Sequence, residues 1–265
     1  MYKPMPPRSI PGDVIVPGVL LAIMLVLSSL DIFQVLGEQH LEHAGDRAFT
    51  AFAIARTING VISVLQEVEF GVSAVVVQTG FQPGQILDPL NDLIERFSSA
   101  ALIAATLLWS LKILGGLLLS PWIPTGLLLL LGLRLALVHR SACSGLNQAL
   151  LRLVRIGIVV WGFAVLTPWV IDGIHHSDII QDHYQHATAE MESASRQLAA
   201  LGESDTAWAF EEDRVRETLH ELKDMADRLS EQAVIVLAVF VFEVLMIPLL
   251  ILWTTSRVLL NPRSA

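Results

Sequence analysis

The sequence predicts an all-α, multi-pass integral membrane protein. It has about five transmembrane helices, a small mixed module after the first span and a long antiparallel coiled-coil hairpin between the last two spans. Of the 265 residues, 53% are hydrophobic and only 16% are charged, whereas a soluble domain is about 25% charged. Several leucine-rich runs approach the roughly 20 residues that a helix needs to cross a bilayer. In one polar stretch the apolar residues recur at alternating spacings of three and four, which is typical of a coiled coil.

Five apolar runs are the candidate spans, and they fall at about residues 14–36, 98–119, 122–137, 156–171 and 233–253. The first, second and fifth are long enough to cross a bilayer alone. The third and fourth are short and need flanking arginines that reach the headgroups. The first run is alternatively a signal peptide, but its apolar stretch is longer than a signal core and no small-x-small cleavage site precedes Gly37. These two features favour an uncleaved anchor.

The runs divide the chain into five parts. Residues 1–36 hold the N-terminal segment and first span, and 37–97 form a small acidic module. Residues 98–171 hold spans two to four with an arginine-rich loop at 138–155, and 172–232 form the acidic hairpin, followed by the last span and a basic tail at 233–265. Because residues 67–74 alternate like a half-buried strand, the 37–97 module is expected to mix helix and strand.

Residues 172–232 predict two long helices joined near Gly202, which is a helix terminator. Their apolar seam consists of Ile180, Tyr184, Ala187, Met191, Ala194, Leu198 and Leu201, then Val215, Leu219, Leu222, Ala226 and Leu229. The spacing continues through Ala233, Val236, Phe240, Glu243, Ile247 and Leu250. One helix is therefore expected to run from the hairpin into the last span.

The charge distribution bears on partners and on topology. The net charge is −9, and residues 175–232 hold 14 acidic against five basic residues, which accounts for all of it. Such a surface repels nucleic acid, so nucleic-acid binding is excluded. Arginines without acids at 134–155 and after Trp253 predict a cytoplasmic C-terminus and a hairpin on the outer side. The side of the N-terminus and of residues 37–97 stays open. The bias of 14 Arg against three Lys indicates a bacterial protein, hence the cytoplasmic (inner) membrane.

Glu243 is the first candidate site residue, since it lies near the middle of the last span, five residues before Pro248. A charge there costs about 2.5–3.5 kcal/mol on insertion scales, so the carboxylate is expected to face the bundle and find a partner. Lys112 and Arg134 are the cations of other spans, and Asp31 is the other intramembrane acid. A structural ion pair, a neutral hydrogen-bonded acid and an ion or proton pathway all remain open.

The second candidate is a stripe of His176, His183, His186 and Glu190, which share one face of a helix counted from Asp172. Imidazole and carboxylate groups suit Zn²⁺, Ni²⁺ or Cu²⁺, so a divalent metal is the one cofactor considered. A pH-responsive surface and a simply solvated face are the alternatives.

Catalytic motifs are absent from the sequence, which has no G-x-S-x-G, HExxH, Walker or G-x-G-x-x-G pattern. A single cysteine, Cys143, excludes an internal disulfide. We therefore expect a non-enzymatic inner-membrane protein that is embedded in the lipid bilayer. Its hairpin binds a protein partner or further copies of the chain, as a scaffold, sensor or oligomeric assembly component. The alternative is an ion channel or transporter that uses Glu243 with Lys112 or Arg134.

Overall fold

The computed structural model describes residues 12–76, 84–137, 144–203 and 212–260, and every regular element in these ranges is helical. The helices are α1 (Gly12–Ser29), α2 (Asp31–Val76), α3 (Gly84–Leu119), α4 (Trp122–Leu137), α5 (Ser144–His175), α6 (Asp178–Glu203), α7 (Glu212–Val241) and α8 (Ile247–Leu260). A π-helical turn, Phe242–Met246, joins α7 to α8. The predicted all-α class is confirmed for these residues.

The strand predicted at residues 67–74 is wrong, because this segment belongs to the 46-residue helix α2. Apolar residues at 65, 68, 72 and 75 also fit the helical spacing of three and four. A short apolar segment can satisfy both periods, and here the helix that precedes it simply continues. The part of residues 37–97 that the structure describes is therefore helical rather than mixed.

Three helical segments are long and apolar enough to cross a membrane, namely Asp88–Leu119, Gly145–His175 and Lys223–Val258. A fourth is counted if the bent pair Ile15–Ser29 and Gln34–Val64 forms one broken span, and α4 is a shorter apolar helix of 16 residues. These helices are consistent with a membrane protein that has three to four candidate spans.

The predicted first span, residues 14–36, is not one straight helix. Helix α1 ends at Ser29 and α2 begins at Asp31. The last turn of α1 is tightened, since the Leu30 amide donates to the Leu27 carbonyl, three residues earlier, at 3.1 Å. A backbone hydrogen bond to the third preceding residue is typical of a helix end. The Ser29 hydroxyl also donates to the Leu25 carbonyl at 2.7 Å.

The arginine-rich loop predicted at 138–155 is also shorter than expected. Helix α5 begins at Ser144, so Arg152 and Arg155 are helical residues. Cys143 lies outside the described residues.

The chain forms two compact units. The first unit contains α1, α4 and α8, together with the start of α2, the end of α3 and most of α5. Helices α1 and α4 pack against each other. Their core is formed by Leu21, Met24, Leu119, Leu131, Val154, Ile158, Trp161 and Ala164.

The second unit contains Glu42–Trp109 and Asp172–Met246. Its helices bury side chains at spacings of three and four, as in a helical bundle. On α2 and α3 the buried residues are Ala44, Ala48, Ala51, Ala55, Ile58 and Ile62, then Leu90, Ile94, Phe97, Ala101, Ala104 and Leu108. On α6 and α7 they are Tyr184, Ala187, Met191, Ala194 and Leu198, then Ala226, Leu229, Ala233, Val236 and Phe240. Helices α6 and α7 pack against each other.

The predicted seam continues through the π-turn as far as Ile247, which is 4% exposed. The sequence spacing placed Leu250 next on this seam, but Leu250 is 59% exposed and Ile251 is 6% exposed. The prediction of Leu250 is therefore wrong by one position. The other predicted seam residues Leu201, Val215, Leu219 and Leu222 lie outside the side chains that the structure describes.

Candidate functional site

Four polar side chains meet inside the second unit, and we call them the buried polar cluster: Arg47 of α2, His175 of α5, Tyr184 of α6 and Glu243 of the π-turn. Each occupies or adjoins the buried stripe of its helix. His175 follows Ile171 by one turn, and Glu243 follows Phe240 by three residues. The cluster thus draws on four separate segments of the chain.

Glu243 is the centre of the cluster and is fully buried, with a side-chain exposure of 0%. His175 Nδ1 lies 2.9 Å from Glu243 Oε1. Arg47 Nη2 lies 3.4 Å from Oε1 and 3.5 Å from Oε2. Strong arginine–carboxylate pairs are bidentate, with distances of about 2.7–2.9 Å. The histidine is therefore the tight partner of Glu243, and the arginine is held loosely through one nitrogen.

Tyr184 anchors the backbone of α2. Its hydroxyl donates to the carbonyl oxygen of Arg47 at 3.1 Å, and its ring contacts those of His175 and Phe240, with centroids at 5.6 and 6.1 Å. Burial raises the pKa of Tyr184 from 10.0 to about 12, with the Arg47 charge opposing the rise and the Glu243 charge adding to it. Tyr184 is accordingly a neutral hydrogen-bond donor throughout the neutral pH range.

The π-turn determines the local backbone around Glu243. Pro248 has no amide hydrogen, so it cannot complete the helical hydrogen bond to the turn before it. The π-turn Phe242–Met246 lies directly upstream of this proline. Such turns occur frequently at functional sites, which agrees with the burial of a charged side chain at this point.

The observed partners of Glu243 differ from the two cations that were predicted. Lys112 and Arg134 belong to the first unit, where Arg134 is buried with 5% exposure. Asp31 begins α2, and its side chain is outside the described set. Glu243 instead contacts the side chains of Arg47 and His175, which were not among the predicted site residues.

The predicted histidine stripe is interrupted. Helix α5 ends at His175 and α6 begins at Asp178, so His176 lies on the connecting turn rather than on the helix of His183 and His186. His176 Nδ1 lies 2.9 Å from the carbonyl oxygen of Asp172.

On α6 the remaining stripe is open to solvent. His186 Nδ1 lies 3.5 Å from Glu190 Oε1, and both His183 and His186 are exposed. Within residues 12–76, 84–137, 144–203 and 212–260, no three His, Cys, Asp or Glu side chains are grouped to hold a metal ion. The predicted metal site therefore has no geometric support there.

Sequence patterns carry a signal for one of the missed residues. The buried stripe of α5 runs through Ala164, Ile171 and His175 at helical spacing, so extending it by one turn reaches the histidine. Arg47 has no comparable signal, because it lies beside the stripe of a segment in which charged residues are frequent.

Comparisons with family models, with curated proteins and with solved structures find no match for this chain.

Proposed function

We propose that this is a non-enzymatic membrane protein in which α6 and α7 form an acidic hairpin that binds a protein partner, as a scaffold, sensor or assembly component. One observation carries the proposal. Among its described side chains, each of the two helices buries an apolar stripe and exposes residues on its other faces, and α7 continues from Lys223 into the apolar segment Lys223–Val258. A water-exposed recognition module fixed directly to a membrane anchor explains this combination.

The negative charge of the hairpin favours a partner with a basic surface. Exposed acids on α6 include Asp182 and Glu192, and those on α7 include Asp224, Asp227 and Glu231. Such a face attracts a basic protein surface and repels an identical acidic face. A basic partner is therefore favoured over self-association through the charged faces, and its binding weakens as the salt concentration rises.

Site-directed photo-crosslinking in intact cells tests the proposal. A photoreactive residue replaces exposed Gln185 on α6 or exposed Asp224 on α7, and exposed Ala53 on α2 is the control position. We expect a discrete crosslinked species at the two hairpin positions and none at Ala53. Neutralising the acidic face with Asp182→Asn and Glu192→Gln should reduce its yield. Equal crosslinking at all three positions, or none at the hairpin, contradicts the proposal.

The side of the membrane is part of the proposal. We place the hairpin on the outer side of a bacterial inner membrane and the C-terminus in the cytoplasm. A membrane-impermeant thiol reagent should then label Cys143, the single cysteine, only after the cells are permeabilised. Labelling in intact cells would reverse this topology and move the partner to the cytosol.

A channel or transporter is the second candidate, favoured by the fully buried Glu243 in an apolar segment. Ionisable residues inside a membrane span commonly belong to ion or proton pathways. Ion flux into liposomes that contain the purified protein should be lost in Glu243→Gln and kept in Glu231→Gln, an exposed acid of α7. Absence of flux in the unmodified protein removes this candidate without affecting the crosslinking experiment.

A further inference from the structure

Arg47 is the least satisfied member of the buried polar cluster. A guanidinium carries five N–H donors, and Arg47 uses Nη2 alone for both oxygens of Glu243. Its buried Nε has no hydrogen-bond partner among the described residues. The Arg47 side chain is 18% exposed, compared with 9% for His175 and 0% for Glu243. Of the three, the arginine is therefore the side chain that can leave the cluster most easily.

The charges of the cluster balance only while the imidazole is neutral. Arg47 is then the single positive charge and Glu243 the single negative one. A proton on His175 would create an imidazolium 2.9 Å from Glu243 Oε1, which by itself neutralises the carboxylate. Arg47 would become an excess buried charge, and such a charge is costly unless it is paired or reaches water. Long arginine side chains can move the guanidinium to water while their aliphatic part remains packed.

We propose that His175 and Glu243 form a reversible proton-binding site, in which a proton on His175 competes with Arg47 for the Glu243 carboxylate. The proton comes from a solvent hydronium ion, whose O–H bond breaks as one N–H bond forms at the ring nitrogen of His175 that lacks hydrogen, and a water molecule is left. No other covalent bond is made or broken. The Arg47 guanidinium releases both carboxylate oxygens and turns to solvent, while the Tyr184 hydroxyl continues to hold the Arg47 carbonyl.

The surrounding groups allow this exchange. The described charged and titratable groups that face His175 and Glu243 are Arg47 from α2, His176 from the turn after α5, Tyr184 from α6, and Asp172 on α5, which holds His176. Tyr184 keeps its proton because burial raises its pKa to about 12. The His176 side chain is 64% exposed, so water and salt screen its charge.

Histidine-selective NMR on the full-length protein in detergent tests the site. Imidazole resonances are followed between about pH 5 and 8, where histidine charges usually change. The resonance of His175 is assigned by its loss in His175→Gln and independently by its contact with the Tyr184 ring. Arg47→Gln removes the competitor, and Arg56→Gln is the control, since Arg56 is an exposed arginine on the same helix.

We expect the His175 resonance to respond to pH differently in Arg47→Gln than in the unmodified protein, because the positive charge that competes for Glu243 is removed. Arg56→Gln should leave this response unchanged, and Glu243→Gln should alter it, since an amide cannot neutralise an imidazolium. As the pH falls, the Arg47 Nε–H should lose protection from exchange relative to the exposed Arg56 Nε–H at the same pH.

Three results would overturn the proposal: a His175 resonance that does not respond to pH while the protein remains folded, the same response in Arg47→Gln as in the unmodified protein, or unchanged protection of the Arg47 Nε–H relative to Arg56. Binding of a proton differs from its transport and from partner recognition. Loss of crosslinking at the hairpin or absence of flux in liposomes therefore leaves this test intact.

Discussion

Raising the pH from 10 to 12 is predicted to weaken the second unit through the single side chain of Tyr184. The residue is 8% exposed, and burial raises its pKa from 10.0 to about 12. The folded state therefore keeps a proton that the unfolded state releases above pH 10. The stabilisation from Tyr184 is complete below pH 10 and is lost as the pH rises through 12. Two units at about 1.4 kcal/mol each give a full loss of about 3 kcal/mol, which is reached above pH 12.

The composition of the chain makes this effect measurable. The chain has two tyrosines, Tyr2 and Tyr184, so Tyr2→Phe leaves Tyr184 as the single phenol. Its ionisation is followed by ultraviolet phenolate absorbance in the folded protein and again in denaturant. The free energy of unfolding is then measured against pH for Tyr2→Phe and for Tyr2→Phe with Tyr184→Phe. The difference between the two variants isolates the contribution of the Tyr184 hydroxyl.

At neutral pH the Tyr184→Phe variant should be less stable by about 1 kcal/mol, because it lacks the hydrogen bond to the Arg47 carbonyl. It should also lack the fall in stability between pH 10 and 12. The order of the two variants should therefore reverse near pH 11, where the loss is about 1.4 kcal/mol. A Tyr184 that ionises at its ordinary pKa while the helical signal is intact would refute the burial argument.

Two matched pairs of variants test the packing. Gly45→Ala should lower the free energy of unfolding by about 1–3 kcal/mol, since the added Cβ would lie 2.7 Å from Trp109 Nε1. In Gly60→Ala on the same helix, the added Cβ has no atom within 4 Å, so the free energy of unfolding should rise by about 1 kcal/mol. Thermal unfolding in detergent measures both variants, and effects of the same sign would contradict the α2–α3 packing. Met191→Ala removes a side chain that is 0% exposed and should cost about 2–5 kcal/mol. Met246→Ala, at a residue that is 51% exposed, should stay within about 0.5 kcal/mol, and similar denaturation midpoints for the two methionine variants would argue against the buried stripe of α6.

Helices with long and regular patterns could be predicted from the sequence. The apolar run at 122–137 corresponds to α4, and the first of the two long helices predicted within 172–232 corresponds to the 26-residue helix α6. The sequence predictions are wrong where the local pattern of apolar residues fits more than one structure or does not determine where a helix ends. Residues 67–74 satisfy two periods, and the break at Leu30 depends on which carbonyl its amide reaches. The burial of Ile251 in place of Leu250 is also not visible in the sequence, because both residues are apolar.

The candidate site shows a similar division. Glu243 is visible in the sequence because a carboxylate within an apolar run is costly and rare. Its partners were expected among the cations of other apolar runs, but Arg47 lies outside them in a polar part of α2. Which of the 17 basic residues faces Glu243 is decided by how the helices pack, and spacing along one helix contains no such information. His175 continues the apolar pattern of α5, but a helix counted from Asp172 wrongly includes the turn between α5 and α6.

The presence of an acid at position 243 is not explained by stability. Desolvating a carboxylate and a guanidinium costs several kcal/mol for each ion, and a buried pair can often be replaced by apolar residues without loss of stability. A leucine would continue the stripe of Val236 and Phe240 at the same spacing. Glu243 is instead paired tightly with an imidazole and loosely with an arginine that is 18% exposed. With one strong and one displaceable partner, the carboxylate can be paired either with the arginine or with a protonated histidine. The proposed reversible binding of a proton requires these two alternatives.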